Sequence, residues 1–491
     1  MISGSASGAR RGSNRWLVAA VAAGLLLGAL DAYLVAGVLL PMVSDVGVPL
    51  SHLERATPVV SVFLIGYVAA IPVFGPLSDL RGRVVVYLGA LLLFAAGSAL
   101  TASAGELDSL VAGRAVQGFA GGALVPVSLA IVADLFPGRA ARALALGVVA
   151  GAQELGSVAG PVYGAAVSQW AAALGGWRAV FWLNLPLAAL CGGWFLFAWR
   201  RAAPQAPRPA AAALAELRKP SGPAAGLFLG GGMALLVVAL YPTDAARGLF
   251  NANFVPLLAA AAGLLAAFLV LQRGRSLLVR SPLAAGVNFL VGAALVAALA
   301  EVPVLASTLF GLDQTGAALL LTRFLAGVPL GALLGGWLTR FDRRLPAAGG
   351  LALAALCFWR MSGWTGLDAS ATPVLLGCGL GFGLVIAPVV SAILDAAAAD
   401  EHGAASAIAV LARSAGMVVG IALLAAYGFH RFYSGLAACP SRTIFGIRSV
   451  DLACAGGAVR GQFHDVFVIA AGICVIAALL SLTLVGARRP L

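Results

Sequence analysis

Runs of about twenty apolar residues recur along the whole chain, and no other feature restricts its fold as much. A run of that length crosses the hydrocarbon core of a bilayer as a helix, the one open-chain form that satisfies its own backbone polar groups there. Reading from the N-terminus, such runs fall at 16–40, 58–77, 84–104, 110–135, 144–170, 180–199, 224–241, 254–271, 283–310, 315–338, 345–364, 372–396, 403–433 and 463–485. The fold class expected is therefore an all-α integral membrane protein with fourteen spans. Composition agrees, with 61% hydrophobic and only 10% charged residues in 491, where soluble domains carry about 25% charged.

The net charge of +12 could point to nucleic acid, but the placement of the arginines explains it better. With the N-terminus inside, Arg10, Arg11, Arg15, Arg81, Arg83, Arg139, Arg142, Arg200, Arg273, Arg340, Arg343 and Arg488 share one side. Only Arg55, Arg178, Arg247, Arg431, Arg442, Arg448 and Arg460 fall on the other. The positive-inside rule then puts both termini in the cytoplasm. The run after Arg10-Arg11 is too long for the core of a cleaved export signal. A cytoplasmic N-terminus (1–15) leads into six spans (16–199). A Pro/Ala/Arg-rich cytoplasmic linker (200–223) precedes two spans without embedded charge (224–272). Six further spans (283–487) complete a six-two-six order.

The two six-span blocks look like repeats. GPLSDLRGRV, from Gly75 to Val84, follows the second span, and GGWLTRFDRR, from Gly335 to Arg344, occupies the corresponding loop of the second block. That alignment sets Thr339 opposite Asp79 and Arg343 opposite Arg83. A second match runs from the PVSLAIVADLF segment to Gly160 and from PVVSAILDAAA to Gly420. Paired halves related by an axis along the membrane normal place a binding site at the midplane between them.

On these residues the chain resembles the major facilitator superfamily, in its 14-helix drug:proton antiporter branch. Gly75, Asp79, Gly82 and Arg83 resemble the signature loop between helices 2 and 3. Arg114 with Gln117-Gly118 resembles the helix 4 motif, and Gly156, Gly160, Pro161 and Gly164 the antiporter motif of helix 5. Leu30-Asp31 and Trp177-Arg178 with Asn184 are similar to features of the 14-helix branch. The segments around Asp31, Leu53–Pro58 and Gln153–Ser157 resemble a mycobacterial subfamily associated with triacylglyceride export and drug tolerance, encoded beside a glycolipid-binding lipoprotein. The resemblance implies two pseudo-symmetric bundles, proton-coupled export of lipid or lipophilic molecules, no enzymatic activity, and a periplasmic lipoprotein as partner. It further implies a latch at Asp79 and Arg83 that closes the cytoplasmic side, with proton coupling at Arg114.

Charged side chains inside spans are costly, about 2.5–3.5 kcal/mol each at mid-depth on insertion scales, so they persist where partners or function compensate. Asp31, Arg114, Glu154, Glu301, Arg323 and Arg413 are so placed. Glu154 and Arg413 lie on corresponding spans and are expected to face each other across a central chamber that Asp31 also lines. A carboxylate that is paired in one state and desolvated in another takes up a proton; a static ion pair that only fixes packing is the alternative. Glu301, just before Pro303, is expected near the outer face, as a charge at an entry site or simply solvated; Arg323 is expected either to share that entry site or to snorkel outward in a structural role. Arg83 is expected to reach Asp134. With Thr339 replacing the acid, the latch is expected on one side only.

Scarce asparagine and glutamine in the spans argue against sugars and for an apolar cargo; a multidrug:proton antiporter without physiological lipid cargo remains the alternative. No phosphate-binding loop appears, so the proton motive force is the expected energy source, with no cofactor and no metal. Gly377-Cys378-Gly379-Leu380-Gly381 lacks a preceding strand and reads as helix packing. The thirteenth span is long enough to project from the bilayer, as a guide for lipid, a docking point or an inert extension. Cys439 and Cys454 beyond it lie on the oxidising side and are expected to form a disulfide. A monomer that binds no nucleic acid, in the bacterial plasma membrane, completes the expectation.

Overall fold

The computed structural model describes residues 3–47, 57–136, 138–201, 223–240, 253–271, 281–312, 314–398, 401–444, 447–450 and 452–484. Most of the linker at 200–223, Arg55, Arg247 and the basic loop at 273–280 lie outside the described residues. Six helices come first: α1 (Ser3–Asp45), α2 (Thr57–Arg81), α3 (Arg83–Ala102), α4 (Leu107–Leu135), α5 (Arg139–Trp170) and α6 (Trp177–Arg201). Then come α7 (Pro223–Leu240) and α8 (Phe254–Leu271). Last are α9 (Pro282–Thr308), α10 (Gln314–Leu338), α11 (Arg344–Ser362), α12 (Ala371–Asp395), α13 (His402–Ala437) and α14 (Leu452–Leu482). Among the described residues twelve helices are long and apolar enough to cross a membrane, and shorter apolar stretches occupy Leu227–Leu236 and Phe254–Phe268.

Helices α1–α6 pack among themselves, as do α9–α14, and α7 and α8 form a hairpin laid against α2. Without a hydrophobic drive between helices in lipid, small residues supply the contact. Between α2 and α4, Gly118 and Gly122 lie against the carbonyls of Phe63 and Tyr67. Between α10 and α12, Gly379 and Gly383 lie against those of Phe324 and Val328. The Gly377–Gly381 run is thus a packing face, as its surroundings implied. Gly160 of α5 meets the Leu30 carbonyl of α1, and Gly420 of α13 meets the Ala293 carbonyl of α9. The break between α2 and α3 is one residue, Gly82, whose φ of 90° is left-handed and open to glycine without steric cost.

The end where α1 begins and α14 finishes is termed inner, and the opposite end outer. At the inner end the two six-helix sets touch along two seams. Gly147 of α5 approaches the Ala332 carbonyl and Gly336 of α10, and Gly75 of α2 approaches the Gly403 carbonyl of α13.

Two expected boundaries move. The last span begins at Leu452 rather than 463, and α13 runs to Ala437. The 36 residues of α13 extend roughly 54 Å at 1.5 Å per residue. Between them, in place of a plain loop, stand two antiparallel strands, β1 (Ser441–Ile444) and β2 (Ile447–Val450). Gly435 packs on Ala458, so the extension is a two-helix projection, and polar residues such as Gln462 and His464 ride on helix because helical pairing continues past the apolar run.

Candidate functional site

Asp31 is fully buried, and its partners all come from the first six helices. Arg114 of α4 donates to Oδ2 at 2.8 Å, while Gln117 of α4 and Asn184 of α6 donate to Oδ1 at 3.0 and 2.7 Å. Ser98 of α3 accepts from Gln117 at 2.6 Å and from Asn184 at 3.2 Å. The Arg114 guanidinium lies over the Phe63 ring, 4.3 Å from its centre. Asn184 Oδ1 and Arg114 Nε have no partner. Three donors thus converge on this one carboxylate. This corrects one expectation. Expected to line a chamber between the halves, Asp31 is instead turned into the first bundle, on the face of α1 toward α4 and α6.

A different face of α1 is turned toward the second six-helix set. Residue 33 lies about 200° around the helix from residue 31, and Tyr33 is 41% exposed. With Tyr67 of α2, it lies within electrostatic reach of Glu154 and Arg413. Arg413 Nη1 stands 3.4 Å from Glu154 Oε1, and both side chains are partly buried. The pair spans the two six-helix sets, as their positions in the sequence required. The helix 5 motif positions it: Gly156, Gly160 and Gly164 press the outer half of α5 onto the Leu26, Leu30 and Leu34 carbonyls of α1. The inner half of α5 is left to meet α10.

At the inner end of the α2–α13 seam, Asp79 accepts from the backbone N–H groups of Gly403 and Ala404 at 3.0 and 3.1 Å. A carboxylate there opposes the positive end of the α13 dipole. Arg83 contacts Asp79 at 2.5 Å and Asp134 at 2.9 Å. His402 Nδ1 lies 2.8 Å from Asp134 Oδ1; sequence reasoning passed over this histidine, whose signal was its place at the first turn of α13.

The other seam corrects the expectation of charged contacts on one side only. Asp395, the last residue of α12, binds Arg142 and lies 3.2 Å from Arg139 and 3.1 Å from Arg343. Arg139 and Arg142 belong to α5, so this cluster also joins the two sets. Thr339, the replacement for the acid, is occupied by the Gly335 carbonyl at 2.6 Å. The acid has moved to the end of α12 and its helix-terminus contact has become a set of arginines. Arg343 lies outside the spans; burial, with Arg139 and Arg344 nearby, lowers its pKa to about 10, and it stays charged at neutral pH.

Glu301 is not simply solvated: it is 7% exposed, with Ala297, Ala298 and Leu305 one turn away on α9 and buried. Arg323 donates to Thr372 at 3.0 Å, near the outer end of α12. Cys439 and Cys454 form a disulfide, and Arg431 pairs with Asp465 at 2.8 Å between the projecting helices. Trp177 and Arg178 both bind Asp45, closing the outer end of the first bundle. Among the described residues no group of three metal-ligating side chains is present.

A family model described as the Major Facilitator Superfamily matches residues 21–421. A triacylglyceride transporter of Mycolicibacterium smegmatis is 38% identical over 511 aligned residues, covering 97% of this chain and 88% of that protein. A triacylglyceride transporter of Mycobacterium tuberculosis is 35% identical, covering 98% and 96%. Among solved structures, the Escherichia coli fucose:proton symporter superposes with a TM-score of 0.59 at 16% identity, covering 94% and 98% of the chains. The human organic anion transporter MFSD10 gives 0.56 at 18%, covering 95% and 99%. These two likenesses concern the fold alone.

Proposed function

The chain belongs to the major facilitator superfamily, and we propose that it exports triacylglyceride-like lipids from the cytoplasmic membrane by proton-coupled alternating access. It is a multi-pass transporter of the bacterial cell membrane and not an enzyme. In this reading α7 and α8 complete fourteen spans, both termini are cytoplasmic, and the six-helix sets are the pseudo-symmetric halves that rock about the chamber.

The observation that carries the reading is the Asp31 network, a carboxylate held wholly inside one bundle while the two six-helix sets touch at their inner ends. Opening to the outside lets a proton reach Asp31. Turning the Asn184 amide over would offer its unpartnered Oδ1 to the new O–H and release Arg114 from Asp31. On the chamber floor Glu154 and Arg413 separate and rejoin with each cycle, so that pairing reports which side is open. The Asp79–Arg83–Asp134–His402 and Asp395–Arg139–Arg142–Arg343 clusters hold the inner side shut. A proton moving inward draws on about 2.3 kcal/mol per 100 mV of membrane potential, added to the pH gradient. No cofactor is called for.

The lipid assignment rests on the activity for which the relatives are named, together with the amide-poor spans. The two-helix projection, stapled by its disulfide, is assigned to passing lipid to a periplasmic lipoprotein, with the transporter acting as a monomer. Transport of labelled triacylglyceride and of a drug dye in proteoliposomes tests this, comparing wild type with D31N and E154Q. Both variants should lose lipid movement driven by a pH gradient. Dye efflux lost while lipid transfer persists would instead favour a multidrug:proton antiporter.

A further inference from the structure

Other buried or half-buried acids are paired. Asp31 has Arg114, Asp79 and Asp134 share Arg83, and Asp395 has Arg139, Arg142 and Arg343. Glu301 differs. It is buried to 7% exposure, yet no hydrogen bond or ion pair reaches it from any described residue.

Its position can be set against Asp31 through the glycine contacts. Asp31 follows by one residue the Leu30 carbonyl on which Gly160 rests, and Glu301 follows by eight the Ala293 carbonyl on which Gly420 rests. The difference of seven residues is about 10 Å of helix, so Glu301 lies two turns nearer the outer end. The helices packed on α9 are α13, α14, α10 and α12, and the charges they carry toward the outer half have other partners. Arg323 of α10 is bonded to Thr372 of α12. Arg431 and Tyr427 of α13 are bonded to Asp465 of α14, and His464 of α14 lies against the Ser362 carbonyl. His430 of α13 and Arg460 of α14 lie further out on the projecting segments. Deeper in, Arg413 of α13 is paired with Glu154.

An ionised carboxylate left in apolar packing without a cation is the costliest state available to this residue, and a proton removes that cost. Pro303 lies two residues further out and removes the backbone bond to the Leu299 carbonyl, a point at which α9 can bend and admit water. We propose that Glu301 is a second proton-binding site, in the second six-helix set, that is protonated in this inner-closed conformation and gives up its proton when the chamber reopens inward. The carrying of that proton rests on the proton-coupled reading above, whereas its occupancy in this conformation does not.

Two measurements separate the parts. Infrared difference spectra of purified protein in lipid nanodiscs at neutral pH, wild type minus E301Q, should show loss of a protonated carboxylic acid carbonyl band that D31N retains. A difference containing only ionised carboxylate bands overturns the assignment. Aggregated or unfolded E301Q also counts against it, because a neutral isostere should be accepted where the native group is already neutral. In proteoliposomes, simultaneous recording of internal pH and cargo should show one proton fewer per cargo molecule in E301Q than in wild type. An unchanged ratio removes the transport role. If D31N moves cargo normally while the infrared band behaves as described, the coupling account fails and the Glu301 site stands.

Discussion

The protein buries charge in two kinds of place, and in the proposed mechanism the contrast separates storage from gating. The Asp31 network takes all its members from α1, α3, α4 and α6 of one bundle. Rigid rocking of the halves leaves such a network whole, so it can hold a proton but cannot itself latch the halves together. The inner-end clusters are divided between the sets: Asp79 binds the first turn of α13, and Asp395 binds the first turn of α5. They must break whenever the inner side opens. Depth alone does not make the difference; what matters is whether the partners move together.

Substitutions at the two places should therefore fail differently. D31N leaves a buried guanidinium short of its counter-charge, a change that typically costs about 3–5 kcal/mol when one partner of a buried pair is removed. Lipid transport should fall to background and thermal unfolding in detergent should shift down, with the inner seam still closed by spin-label distances. The double variant D31N/R114Q should recover stability and not transport; recovered transport would erase the contrast.

The next effect belongs to the seam itself. A side chain at Gly403 would drive its Cβ into the Gly75 carbonyl. G403V should hold the inner side open, seen as labelling of cysteines introduced beside the seam, while the unfolding temperature of the first bundle changes little.

The two latches sharpen the comparison. D395N leaves three arginines facing one another and should favour the inner-open state by about 2 kcal/mol, roughly thirtyfold in population. D79N loses a helix-terminus charge worth about 1 kcal/mol, roughly fivefold, because Arg83 keeps Asp134. Spin-label distance distributions check the order, and a larger effect at Asp79 would reverse the ranking. Smallest for transport is C439S with C454S. The closed loop of 15 residues contributes at most about 3 kcal/mol by chain entropy. The loss should appear as faster amide exchange in the outer hairpin, with the inner seam unchanged.

Much of this was legible in the sequence because lipid makes periodic apolar length and isolated charge so informative. The signature loop placed Asp79 beside the start of α13 and Arg83 near Asp134. The correspondence of α5 and α13 brought Glu154 to Arg413. Two features stayed hidden. Asp31 was assigned to the chamber because depth can be counted along a helix, whereas facing depends on which neighbour the glycines of α5 select. The second latch was missed because alignment to the first looked for an acid at Thr339, and its carboxylate comes from Asp395 on another helix. The outer projection was underestimated because its polar second strand of helix carries no apolar run to mark it.

The account turns on Asp31 taking a proton in step with cargo. The most direct test loads proteoliposomes with labelled triacylglyceride and records proton movement with an internal pH dye as the lipid leaves. Wild type should acidify the lumen of right-side-out vesicles as lipid is extruded, and D31N should do neither. Lipid extrusion at the wild-type rate by D31N, with or without acidification, would contradict it.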